Sequence, residues 1–159
     1  EEGPQRIMPL GLQNISAYIK KNIKQKSAIK IFDYSNLESS DTEQLDDLIL
    51  WKPDLIGISI YSSHVCAAIH WGHTIQHSLP ESFIFCGGPH ISLAAEDFLI
   101  RSHPLFKLAI QGEGEYPTRL LIEHFDTLPP SKKSVEYDNW AEHIPNAVWI
   151  NSKGQIKRS

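Results

Sequence analysis

Two glycine-bearing turns hold the residues best suited to chemistry: Gly87-Gly88-Pro89-His90 and Gly112-Glu113-Gly114-Glu115. Each follows a short apolar run, Phe83-Ile84-Phe85-Cys86 and Leu108-Ala109-Ile110, and each precedes a helix-like stretch. Another loop, Tyr61-Ser62-Ser63-His64, follows the apolar run that carries Ser59, so that in chain order it is the first loop, Gly87–His90 the second and Gly112–Glu115 the third. Glycine at a strand end lets the backbone approach a ligand where a side chain would block it. In an open parallel sheet those strand ends form the ligand crevice. Small residues and glycines at three such loops suit a large, flat or extended ligand. Glu113 and Glu115 stand two apart in a turn and point apart. As acids before a helix they suit its positive end or a ligand hydrogen bond better than general acid–base work.

A second pattern is Cys66, His70, His73 and His77, one helical stripe at i, i+4, i+7 and i+11. Imidazoles one turn apart can share a zinc or copper ion. A straight helix offers only adjacent pairs, so such a site needs ligands from elsewhere. A half-exposed polar flank beside an apolar face is the plainer reading. Asp33 stands at the end of an expected strand, as a ribose-binding acid does, but no Gly-x-Gly-x-x-Gly precedes it. The chain has no P-loop, no Ser/His/Asp set and no Cys/His nucleophile pair.

The elements that hold these loops follow from periodicity. Pro9 to Lys26 reads as a helix, with Leu12, Ile15, Ile19 and Ile23 at helical spacing. Ala28 to Asp33 reads as a strand. Ser40 with Glu43 forms a capping box for the next helix, whose buried stripe is Leu45, Leu48 and Ile49 and which stops at Pro53. Leu55 to Tyr61 is near-continuously apolar, as expected of a central parallel strand. Helices are expected over His64–Leu79, Ser92–Arg101 and Tyr116–Phe125, with strands over Phe83–Cys86 and Phe106–Ile110. Pro129-Pro130-Ser131-Lys132-Lys133 is linker-like. The end, from Ala147, reads as two short strands about a Ser-Lys-Gly turn. The four tryptophans, Trp51, Trp71, Trp140 and Trp149, read as packing residues.

This alternation predicts a doubly wound, flavodoxin-like or Rossmann-like α/β fold. It has a parallel sheet, helices on both faces and a short C-terminal β extension. The alternation begins with a helix, so the first strand and its loop are expected upstream of Glu1. The 159 residues suit one domain with an ordinary core, at 41% hydrophobic and 21% charged. A net charge of −4 without a basic block argues against nucleic-acid binding. No apolar run reaches the roughly 20 residues of a membrane span. Two cysteines, Cys66 and Cys86, give no disulfide framework and suit a cytoplasmic setting. They are too few to hold an iron–sulfur cluster through three or four thiolates.

PLGLQNISAYI, PDLIGISIYSS, FCGGPH and the GEGE turn, in this order, resemble the N-terminal cobalamin-binding domain of cobalamin-dependent radical SAM enzymes. The resemblance covers roughly residues 4 to 127. It implies cobalamin as cofactor, with the corrin over the strand ends and its nucleotide tail beside Ser59, Gly87 and Gly88. The binding residues it points to are Ser59, Tyr61, Ser62, Ser63, His64, Gly87, Gly88, Pro89, His90, Gly112, Glu113, Gly114 and Glu115. His64 and His90, in the crevice loops, can meet cobalt, a phosphate or a corrin amide. The wider cobalamin fold carries an Asp-x-His-x-x-Gly loop, which this chain lacks; its first histidine is His64. That departure suits the radical SAM branch and puts a methionine-synthase-like or mutase-like role in doubt.

The resemblance further implies two parts: a cobalamin-binding-like domain, 1–128, and a linker with β connection, 129–159, leading to a catalytic barrel. That barrel is the implied partner, holding the [4Fe–4S] cluster and S-adenosylmethionine and acting as a methyltransferase. The chain has no Cys-x-x-x-Cys-x-x-Cys of its own and is not catalytic alone. The alternative expectation is a flavodoxin-like interaction domain that has lost the cofactor.

Overall fold

A computed structural model describes residues 9–23, 27–34, 45–128 and 137–159. The elements run α1 (Leu10–Asn22), α2 (Asp46–Trp51), β1 (Leu55–Ser59), a 3-10 turn (Ser62–His64) and α3 (Val65–Ser78). Then come β2 (Phe83–Gly87), α4 (Pro89–Ser102), β3 (Leu108–Ile110), α5 (Glu115–Thr127), α6 (Tyr137–Ala141), β4 (Ala147–Ile150) and β5 (Ile156–Arg158). The strands form one sheet in the order β1-β2-β3-β4-β5. β1, β2 and β3 are parallel, with Leu55 opposite Phe83 and Phe85 opposite Leu108. β4 and β5 add antiparallel, with Ala109 opposite Val148 and Trp149 opposite Lys157.

Side chains alternate across this sheet and feed two cores. On one face Ile56, Ile84, Cys86, Ala109, Val148 and Ile150 pack with Leu48 of α2, Trp71 and Ile75 of α3, and Phe98 and Leu99 of α4. On the other, Phe83, Phe85, Leu108, Ile110, Ala147 and Trp149 pack with Leu121 and Phe125 of α5 and Trp140 of α6. α1 lies against α5. The fold is therefore the expected α/β sheet with helices on both faces. The apolar run Phe83–Cys86 is buried throughout, as a strand covered on both sides must be.

Several boundaries differ from the sequence reading. Residues 28–33 form no strand. They are held by aromatic contacts instead: Phe32 packs on Tyr34 and Trp51, and Tyr34 meets Trp71 edge-on at 5.1 Å. β1 is consequently at the sheet edge among the described residues, not central, and only Ile56 of it is buried. α4 begins three residues early because Pro89, with its φ already helical, takes the first helical turn. Helix α6 was not expected. The capping box at Ser40 and Glu43 and the linker 129–133 lie outside the described residues.

Candidate functional site

All three glycine or serine loops sit at the C-terminal end of the parallel strands, where the following helices begin. Hydrogen bonds join them into one floor. The first loop holds the second through Ile60, whose N–H donates to the Gly87 carbonyl at 2.9 Å. The His90 N–H in turn donates to the Ile60 carbonyl at 3.0 Å. Above these, Ser62 Oγ and His90 Nδ1 are 3.1 Å apart. Ser59 is on the exposed side of β1, and Ser62, Ser63 and His64 are exposed too. His90 is half-buried, with its ring edge-on to Phe98.

The second and third loops are joined by residues the sequence reading missed. Ser92 Oγ donates to the Gly88 carbonyl at 3.1 Å and accepts from the Gly112 N–H at 3.0 Å. The Gln111 side-chain amide donates to the carbonyls of Ser92 (3.2 Å) and Ile91 (3.5 Å). These carbonyls precede a kink in α4, where Ala94 leaves helical geometry at φ −139°, ψ 36°. The available signals were a serine four residues after Gly88 and a polar residue directly after the LAI run. Their pairing across two loops is non-local, so neither signal named its partner.

The glycines divide by what surrounds them. Gly88 has φ +97°, and a Cβ there would lie 2.8 Å from both the Ile60 nitrogen and Ser59 Oγ. It is needed to close the first loop on the second. A Cβ on Gly114 would meet Ile15 Cδ1 of α1 at 2.9 Å, so this glycine lets α1 pack beside α5. Gly87 is different: only the Ile110 carbonyl comes within 4 Å of its Cβ position, at 3.4 Å. Gly112, at φ +69°, has nothing within 4 Å. These two leave bare backbone facing open space, a cradle that side chains would fill, and they suit a ligand that must approach closely. Pro89 and Glu113 are exposed, and Glu115 is half-buried as the first residue of α5, where the helix dipole favours an acid.

Exposed apolar side chains also stand near these loops. Leu10, Tyr61, Leu93 and Tyr116 lie at or near the starts of α1, α3, α4 and α5, and are 64%, 55%, 87% and 48% exposed. Tyr61 also stands edge-on to His64, with ring centres 6.3 Å apart. The stripe Cys66, His70, His73 and His77 lies along the exposed side of α3. Among the described residues no three His, Cys, Asp or Glu side chains are grouped to hold a metal ion. No helix of the described residues is long and apolar enough to cross a membrane.

Comparison with known proteins gives the family. A family profile described as the B12 binding domain matches residues 3–122, from before α1 into α5. An uncharacterized methyltransferase of Pyrococcus horikoshii is 26% identical over an alignment covering 92% of this chain and 38% of that protein. A solved structure, of the cobalamin-dependent S-adenosylmethionine radical enzyme OxsB, superposes with a TM-score of 0.67 at 24% identity. That match covers 94% of this chain and 19% of the other. The chain thus spans well under half the length of either protein. The family match does not favour a cofactor-free interaction domain.

Proposed function

This chain belongs to the B12-binding domain family, and from that premise we propose that it is the cobalamin-binding part of a radical SAM methyltransferase. The observation that carries the cobalamin reading is the cradle itself. Gly87 and Gly112 present bare backbone between loops already joined by Ile60, Ser92 and Gln111. A preformed crevice loses little freedom when it takes a ligand. The exposed apolar side chains near the loops suit the face of a flat macrocycle, and the polar groups among them suit its amide-bearing edge.

In this reading Ser59, Gly87 and Gly88 line the path of the nucleotide tail, with Gly87 supplying its open side. Tyr61 offers an aromatic face. Ser62, Ser63, His64, Pro89 and His90 border the ring on one side, and Gly112, Glu113, Gly114 and Glu115 on the other. His90 is oriented by Ser62, which leaves its second ring nitrogen for the ligand. When bound, cobalamin supplies a cobalt centre that can carry a methyl group and pass it on.

The whole-protein reading takes its support from two likenesses, the protein named a methyltransferase and the radical enzyme OxsB. Residues 1–128 would carry the site and 129–159 would lead toward the catalytic part, which would hold the iron–sulfur cluster and S-adenosylmethionine. Both cysteines are free thiols, as a cytoplasmic protein would have them.

The test is a titration of the purified protein with hydroxocobalamin, following the corrin absorption bands and retention through a desalting column. One-to-one retention with a spectral shift is the expected result. Passage of all the pigment through the column, with no shift, would sink the proposal.

A further inference from the structure

Gln111 connects three parts of the molecule that the sequence keeps far apart. Its backbone N–H donates to the Asn146 carbonyl at 3.0 Å, at the left-handed residue (φ 59°) that opens β4. Its side chain donates to the Ser92 and Ile91 carbonyls of the second crevice loop. Its own position heads the third loop, whose Gly112 is bound by Ser92. Both acceptors are carbonyls, so the side-chain nitrogen must face them. The hairpin also holds α4 directly, through Arg158 and Glu96 at 2.8 Å.

An unbroken α-helix uses its own carbonyls four residues on. The first turn of α4 stands before the kink at Ala94, and the Ile91 and Ser92 carbonyls at its end accept from the Gln111 side chain. That turn carries His90 and follows Gly87 and Gly88 directly. Whatever fixes it also fixes the width of the crevice between the second and third loops.

We propose that Gln111 is a positioning residue for the cobalamin crevice, setting the first turn of α4 against the third loop and coupling both to the C-terminal hairpin. The hairpin is then part of the binding unit as well as a connection. This rests on the cobalamin reading above.

The deciding variant is Gln111→Glu, nearly the same size but with a carboxylate that cannot donate and that confronts two carbonyls. With hydroxocobalamin as probe, its Kd should rise about ten-fold, the weight of one lost hydrogen-bonding interaction. Amides of residues 90–93 should exchange faster in the ligand-free variant, while those of β2 and β3 keep their protection. Gln111→Lys, which again presents a donor, should regain most of the affinity. Unchanged affinity and exchange in the Glu variant, with the unmodified protein binding normally, would overturn this role alone. Faster exchange throughout the sheet would overturn it too, as the mark of a merely structural residue. No binding by the unmodified protein would overturn the cobalamin reading and this role with it; faster exchange at 90–93 would then still mark Gln111 as a loop clamp.

Discussion

A methyl group added at Gly88 would press on the Ile60 nitrogen and Ser59 Oγ, both at 2.8 Å, from a backbone that favours glycine. Gly88→Ala should therefore cost about 2–3 kcal/mol, read as a lowered urea midpoint. Gly87 has no such neighbours. Gly87→Val should shift stability by less than about 1 kcal/mol and still abolish retention of cobalamin, because the new side chain fills the cradle. Equal loss of stability in both variants would refute this division. Gly114 makes a third case. Gly114→Val should loosen α1 by about 1 kcal/mol, and Ile15→Ala in the same protein should relieve it, as a double-mutant cycle would measure. The sequence showed that these glycines mattered. It could not show that one faces a ligand space while two face other parts of the protein, because that depends on neighbours 28 and 99 positions away, Ile60 and Ile15.

Elements were legible where one run of residues carries the whole signal. Phe83–Cys86 is apolar at every position, and the structure buries it on both faces. Residues 28–33, Ala-Ile-Lys-Ile-Phe-Asp, also read as a strand, yet a strand exists only where another strand offers it a ladder, and none of the described strands does so. Aromatic anchors, Phe32 on Trp51 and Tyr34 on Trp71, hold that segment instead. The kink at Ala94 has no Pro or Gly at its centre, so nothing local announced it. The C-terminal hairpin was visible as two short strands, but not its burial. Val148 and Ile150 enter one core, and Ala147 and Trp149 the other. Removing residues 142–159 should accordingly unfold the domain rather than shorten it. Loss of the near-ultraviolet circular dichroism signal would check this; a retained native spectrum would contradict it.

At the scale of the whole molecule, protons report on folding at alkaline pH. Burial pushes the Cys86 thiol up. Burial and then Asp47 push up Tyr34, and burial and then Asp138 push up Tyr137. Each group holds its proton more tightly folded than unfolded. The stability they carry is whole below the unfolded values, about 8.5 for the thiol and about 10 for the phenols, and drains as pH rises past them. Lys107 acts the other way, since burial lowers its pKa and the folded chain gains as the ammonium discharges. Three groups against one should leave the urea midpoint lower at pH 10.5 than at pH 8. The buried thiol has one more consequence. Cys66 is exposed while Cys86 is fully enclosed, its sulfur against the Leu108 carbonyl, one residue from Gly87. A colorimetric thiol reagent should label one site at once and the second only as fast as the end of β2 breathes open. The molecule thus carries its own stopwatch for the crevice, and a bound ligand should slow its hand.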